Sequence, residues 1–400
     1  MALRGFKTFA RRVQSTAIDV WGLVLALGLR LVSVVVRIEV QEIWAVRIGH
    51  LALEPEMLLC RRALNPPRRT RTIFYAKKPI SNAFLLAMWR RVVPFGPAWL
   101  LHPIYTAGTR WPWLDIRARG WDQQHFDLRA LDEMPPHVAF TDEELQRGRR
   151  LLADLGIGEG QPFVCLAVRD GAYLQATQPE RDWAYHDYRD SRIDSYLLMA
   201  ERLADAGYVV LRMGAVVAEP FASADPRIID YANSGLRSDF ADIFLFANCA
   251  ICISTSTGVD SVAMLFRRPL VLVNLPGAGG CQLGGSLKRV MFKTMVDAQS
   301  GQPLALMDDR RFVAMSFHRA DQFTAAGIDL VDNSPEQLAA LADEVIADAA
   351  RGWDLGTASP SERAFVRAIP TVGVLDDARF RLSATWLHLV DVDDNAQGGR

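Results

Sequence analysis

The chain has 400 residues, 50% of them hydrophobic and 23% charged, with a formal net charge of -1. That composition belongs to a folded protein with more than one core and excludes a disordered or low-complexity chain. The near-neutral total hides a split: residues 1–120 carry 19 Lys/Arg against 6 Asp/Glu, and the remainder 26 against 40. A basic and an acidic half imply domains with different partners.

Four segments follow from the pattern. Residues 1–37 join Arg4, Lys7, Arg11 and Arg12 to an apolar stretch from Val20 that Arg30 interrupts. The stretch is too short to span a membrane comfortably and lacks a small-x-small cleavage site. It reads as a basic amphipathic helix on an anionic leaflet, or equally as a helix packed on the protein's own core.

Residues 38–150 form the second segment. Glu42–Ile48 reads as a strand, Gly49–Glu56 as the loop leaving it, with a helix through Leu59. Arg71–Ala76 is a second strand and Ser81–Trp89 a second helix, a βαβα alternation. Arg61, Arg62, Arg68, Arg69, Arg71, Lys77 and Lys78 make a basic cluster. It lacks the interleaved aromatic platform of a nucleic-acid module. The tract from Val93 to Pro136 has weak periodicity and is left unplaced. Thr141 with Glu144 forms a capping box for a helix to Leu155, read as the hinge between halves.

In residues 151–350, Phe163–Val168, Tyr208–Met213, Arg227–Tyr231, Ile251–Ile253 and Leu270–Asn274 alternate with helical stretches. Ser191, Ser238 and Ser334-Pro335 supply helix starts. Five strand signals separated by helices give a doubly wound α/β fold. Residues 351–400 are read as an extension ending in a polar tail. Of the five cysteines, Cys249 and Cys252 have CxxC spacing, but no partner pair completes a zinc site and both read as core. Asp391-x-Asp393 lies in the tail, Gly277–Gly280 lacks its βαβ unit, and no P-loop or GxSxG elbow exists.

Ligands of a parallel sheet bind beyond the carboxyl ends of its strands. The first of these ends carries Arg169-Asp170, the next Arg212 and Gly214, and a third Ser254-Thr255-Ser256-Thr257-Gly258 at a helix start. Two arginines with a loop of hydroxyls and backbone N–H groups fit a phosphate or pyrophosphate. Ser238 and Asp239 open the neighbouring helix; Asp239 is read as a donor contact or as a favourable first-turn acid.

The stretches RIGHLALEPE (47–56), YRDSRIDSYL (188–197), RMG (212–214), IIDYANSGLRSDF (228–240) and ISTSTG (253–258) resemble an uncharacterised group of bacterial glycosyltransferases of the GT-B type. AVRDG (167–171) is similar to the strand end of fucosyltransferase-like GT-B enzymes, whose arginine holds a nucleotide diphosphate. The resemblance implies two Rossmann-like domains facing across a cleft, with a nucleotide-sugar donor on the second domain. The basic first domain would take a lipid-linked or polysaccharide acceptor. It implies no metal and no further cofactor, and a place in the cytoplasm at the inner face of the membrane. Sugar transfer with inversion needs a base, and His50, Glu54 and Glu56 on the first loop are the candidates. A nucleotide-sugar epimerase on the same fold, or a non-catalytic nucleotide- or carbohydrate-binding protein, are the alternatives.

Overall fold

The computed structural model describes residues 20–33, 36–118, 129–177, 179–180, 184–278, 286–369 and 380–390. Arg4, Lys7, Arg11 and Arg12, Gly279-Gly280 and the Asp391–Asp393 pair lie outside them. The chain divides into two compact units: residues 1–130 with 136–139, and residues 131–135 with 140–400.

The first unit is built on two parallel strands, β1 (Arg37–Ile43) and β2 (Thr70–Ala76), joined by the helix Ile48–Leu64. Single parallel bridges extend the pair on both sides, Val40 with Arg117 and Phe74 with Phe95. β1 lies earlier than the expected Glu42–Ile48, because the Ala45 N–H turns back onto the Ile43 carbonyl at 2.8 Å. Gly49–Glu56 is therefore not a loop but the first turns of the helix.

Pro55 sits inside that helix, where it removes the N–H that would bond the Leu51 carbonyl. The indole Nε1 of Trp89 donates to that carbonyl instead, at 2.8 Å. This foreign donor lets the helix run through the proline. The second helix, Ala83–Val92, starts two residues later than expected, since Asn82 rather than Ser81 caps it through the Leu85 N–H at 2.8 Å.

The unplaced tract supplies the helix Ala98–Arg110 and a 3-10 turn at Pro112–Leu114. Residues 20–32 are helical and rest on this part of the unit. Ala26 is fully buried, in one cluster with Leu101, Ile104 and Ala107. A Cβ on Gly22 would lie 2.3 Å from the Pro103 carbonyl oxygen, so only glycine permits this approach.

The second unit carries a seven-stranded, wholly parallel sheet. Its strands are β3 (Phe163–Ala167), β4 (Val209–Arg212), β5 (Ile228–Ile229), β6 (Ile251–Ser254), β7 (Leu270–Leu275), β8 (Leu287–Phe292) and β11 (Arg381–Leu382). They lie in the order β11-β8-β7-β6-β3-β4-β5. An antiparallel pair, β9 (Thr294–Asp297) with β10 (Ile328–Val331), stands apart.

β3 to β7 run as near-continuous buried apolar segments, as strands covered on both faces must. β8 escapes that pattern because Lys288 and Arg289 interrupt it. Arg289 is held by the buried Asp348, with Nε 2.6 Å from Oδ2.

The helix Asp142–Asp154 keeps its capping box but belongs to the second unit, not to a hinge. Ser191 does not cap the next helix. A 3-10 turn, Ile193–Tyr196, intervenes before Leu197–Asp205. Residues 360–369 and 380–390 pack onto the sheet rather than trailing from it as an appended tail. Phe365 and Trp386 are fully buried and pack on Phe292 of β8 with ring centroids at 6.2 and 5.4 Å.

Candidate functional site

The chain runs from β3 to β4 and β5 on one side of β3, then crosses to β6 on the other. The loops after β3 and β6 thus flank the point where the strand order reverses, the place where open α/β sheets leave a crevice for ligands. Arg169 leaves β3 there, and its backbone N–H donates to Thr255 Oγ1, beyond β6, at 2.8 Å.

The five residues of the Ser/Thr stretch divide into two roles. Ser254 and Thr255 are fully buried. Ser254 Oγ donates to Asp260 Oδ2 at 3.0 Å and accepts the Thr257 N–H at 3.2 Å. These two hydroxyls fold the loop and do not face outward. Ser256, Thr257 and Gly258 form its accessible part, with Ser256 in the left-handed region at φ 60°. Thr257 Oγ1 is buried and has no hydrogen-bond partner among the described residues, a deficit that water or a ligand would meet.

The helix that follows, Asp260–Leu265, has six residues. So short a helix adds little macrodipole, which leaves the loop's own N–H groups as the main backbone donors.

Two guanidinium groups border the loop. Arg169 Nε donates to Asp190 Oδ1 at 2.9 Å, and Arg189 Nη2 donates to the Ser256 carbonyl at 2.7 Å. Burial, and then the neighbouring Arg189 charge, lower the Arg169 pKa. Two like charges close enough to act on one another, only one of them with an ion pair to Asp190 among the described residues, favour an anion beside the loop. Lys293 Nζ, almost wholly buried, donates to the Asp190 carbonyl at 2.8 Å and pairs with Asp332 at 2.7 Å. Beneath the loop, burial pushes the Asp260 carboxyl up to about 6, against the hydrogen bond from Ser254.

Other expected contacts have structural occupations. Arg212 is fully buried, 3.2 Å from Asp230 and 3.8 Å from Asp170. It ties two loops together, and its Nε and Nη2 are buried with no hydrogen-bond partner among the described residues. Asp170 accepts the Ala172 and Ala218 N–H groups at 3.1 and 2.9 Å. A Cβ on Gly214 would sit 2.4 Å from Val217 Cγ1, so this glycine serves loop packing. Ser238 Oγ accepts the Ala241 N–H as a helix cap. Asp239 stands half-buried in the first turn of that helix.

Arg189 was not among the residues expected at the site. It ends a 3-10 segment, Ala184–Arg189, that brings it back to the β6 loop. Its only sequence signal was its place in the YRDSRIDSYL stretch.

In the first unit the three base candidates separate. His50 lies in the first turn of the helix Ile48–Leu64, and its Nδ1 is 2.5 Å from Oε1 of the buried Glu54. The Trp44 ring packs on it with centroids 4.5 Å apart. Glu56 is fully buried and accepts the His137 N–H at 3.3 Å and the Cys60 thiol at 3.6 Å. His137 Nδ1 lies 3.2 Å from the same carboxylate, so its oxygens are engaged internally and Glu56 is no exposed base. Glu56, Cys60 and His137 do bring three ligand-type atoms within 4.8 Å of one another.

A second polar group, missed in the sequence, lies at the ends of β1 and β2. Tyr75 OH donates to Glu42 at 2.7 Å and lies 3.1 Å from His102 Nδ1, while Lys77 pairs with Glu42 at 3.0 Å. Burial, then the Lys77 charge, lower the His102 pKa. Of the basic cluster, Arg62 turns back onto Glu39 and Thr72, whereas Arg68, Arg69, Arg71 and Lys78 are exposed.

No protein-family model and no curated protein matches the chain. Among solved structures it is similar to ADP-heptose LPS heptosyltransferase II of E. coli, at 12% identity over 64% of this chain and 90% of that one, TM-score 0.37. It is also similar to a family 9 glycosyl transferase of Veillonella parvula, at 10% identity over 64% and 85%, TM-score 0.39. A third is the E. coli heptosyltransferase WaaC with ADP-2-deoxy-2-fluoro heptose, at 12% identity over 64% and 93%, TM-score 0.30. All three likenesses are remote.

Proposed function

We propose that the protein is a glycosyltransferase of the GT-B type that binds a nucleotide-diphosphate sugar at the switch point of its second unit. The observation that carries this reading is that Arg169, at the end of β3, and Arg189, from the 3-10 segment, both reach the Ser254–Gly258 loop that follows the adjacent strand β6. Charge-assisted hydrogen bonds from two guanidinium groups, with loop N–H groups, suit a diphosphate and stabilise it as it leaves.

Transfer needs a base for the acceptor hydroxyl, and the hydrogen-bonded His50–Glu54 pair of the first unit is the candidate for that role. The acceptor oxygen bonds to the anomeric carbon, and the bond from that carbon to the diphosphate oxygen breaks. The nucleoside diphosphate leaves with the electron pair. Attack from the opposite face inverts the anomeric centre. Protein cations supply the neutralisation, so no metal or other cofactor is called for. The acceptor is lipid-linked or a surface polysaccharide, met by the basic first unit at the inner face of the cytoplasmic membrane.

Incubation with a panel of nucleotide sugars, following nucleoside diphosphate release with and without a membrane saccharide fraction, tests the reading. Release that rises with acceptor supports transfer. Interconversion of the sugar without release would mean an epimerase, and saturable binding without turnover a binding protein.

A further inference from the structure

The helical residues 20–32 are apolar on two sides. One side, with Gly22, Ala26 and Leu29, is seated on the first unit's core. The other carries Val20, Val24, Leu27 and Leu31 at helical spacing, 54, 55, 39 and 75% exposed, with Trp21 and Val32 beside them at 50 and 53%. A surface helix is normally polar on its outer face, and this one is not. Trp99 and Trp113, on the elements next in the same unit, are 73 and 60% exposed. Tryptophan is the side chain most at home at a membrane–water boundary.

Charge selects the occupant. Between residues 20 and 118 there are five acidic side chains, Glu39, Glu42, Glu54, Glu56 and Asp115, and all are buried or half-buried. Arg30, Arg68, Arg69, Arg71, Arg90 and Arg91 are exposed. The described surface of this unit thus shows water its positive charges and almost none of its negative ones. An apolar stripe and bare tryptophans on such a surface match an anionic leaflet, which attracts basic groups and accepts apolar ones at headgroup depth. No helix among the described residues is long and apolar enough to cross a membrane.

We infer that the outward face of residues 20–32, centred on Val24, Leu27 and Leu31, docks the protein on an anionic lipid surface while the inward face stays locked to the first unit. The inference extends the membrane placement of the proposed function to a named face. On this inference the N-terminal helix serves core and lipid at once.

Co-sedimentation of the full chain with phosphatidylcholine vesicles, with and without phosphatidylglycerol, tests it. The wild type is expected to bind the phosphatidylglycerol vesicles and to release them as salt rises. The pair Leu27→Glu and Leu31→Glu, both outward, is expected to lower binding about tenfold or more with an unchanged melting temperature. Wild-type protein that stays in the supernatant overturns the inference, as does a double variant that binds like wild type. A dimer that the double variant converts to monomer, with vesicle binding intact, would assign the face to a second copy of the chain and overturn it equally. Nucleotide-induced thermal stabilisation, read on the same samples, reports the donor-site reading separately.

Discussion

The backbone N–H of Arg169 and the hydroxyl of Thr255, 86 residues apart in sequence, meet at 2.8 Å across the switch point of the sheet. Both strands that lead to them are buried, so the contact joins the two loops by a bond that water cannot easily replace. Thr255→Val keeps the shape and removes the acceptor. It is expected to cost about 1–3 kcal/mol, the range for stranding a buried donor, in chemical denaturation. Ser256→Ala, on the accessible side of the loop, should leave stability nearly unchanged.

Asp260 sets a pH dependence. Its carboxyl is raised from an ordinary 3.8 to about 6 by burial, so the folded state holds its proton more tightly than the unfolded chain does. The stabilisation is complete below 3.8 and is lost as pH rises to about 6, for a total of roughly 3 kcal/mol at most. Asp260→Asn preserves an acceptor for Ser254 and removes the titration. Urea denaturation between pH 4 and 7 should show a flatter stability profile for the variant, with its relative gain on the alkaline side.

Gly148 allows the capped helix Asp142–Asp154 to lie on the ring of Phe244, where an added Cβ would fall 1.9 Å from Cε2. Gly148→Ala should destabilise the second unit by about 1–3 kcal/mol through overpacking, despite alanine's higher helix propensity. The double variant Gly148→Ala with Phe244→Leu should recover part of the loss, read as a rise in Tm over the single variant.

His50 and Glu54 act as a pair in the proposed chemistry. His50→Ala should lower kcat by about 10²–10⁴-fold, the usual weight of a general base, with donor binding unchanged. Glu54→Gln should cause a smaller loss and alter the pH–rate profile. An unchanged kcat in His50→Ala would remove this residue from the mechanism.

The strands of the doubly wound sheet were legible wherever apolar residues ran unbroken, as in Phe163–Ala167 and in Leu270–Val273 of β7. β8 was hidden because Arg289 pairs with an acid, Asp348, supplied from the helix Pro335–Ala350. The full extent of the helix Ile48–Leu64 is not legible locally, because Pro55 is a helix breaker and only the distant Trp89, donating to the Leu51 carbonyl, makes it tolerable.

At the site, residue type pointed to Arg169 and the Ser/Thr loop. It could not separate the hydroxyls that fold the loop from those that face outward, because both kinds are chemically alike. Arg212 and Arg189 exchange places for the same reason. An arginine at a strand end reads as a ligand contact, yet Arg212 is sealed between two aspartates, while Arg189 reaches the site from an irregular segment.

The most direct test of the donor site is isothermal titration of nucleoside diphosphates into the wild type and into Arg169→Ala and Arg189→Ala. Saturable binding of one nucleoside diphosphate is expected, weakened about 10–100-fold in each variant by loss of a charge-assisted contact. Arg212→Met, if folded, should retain more affinity than either. Wild type that binds no nucleoside diphosphate, or variants of Arg169 and Arg189 that bind as tightly as wild type, would contradict the assignment.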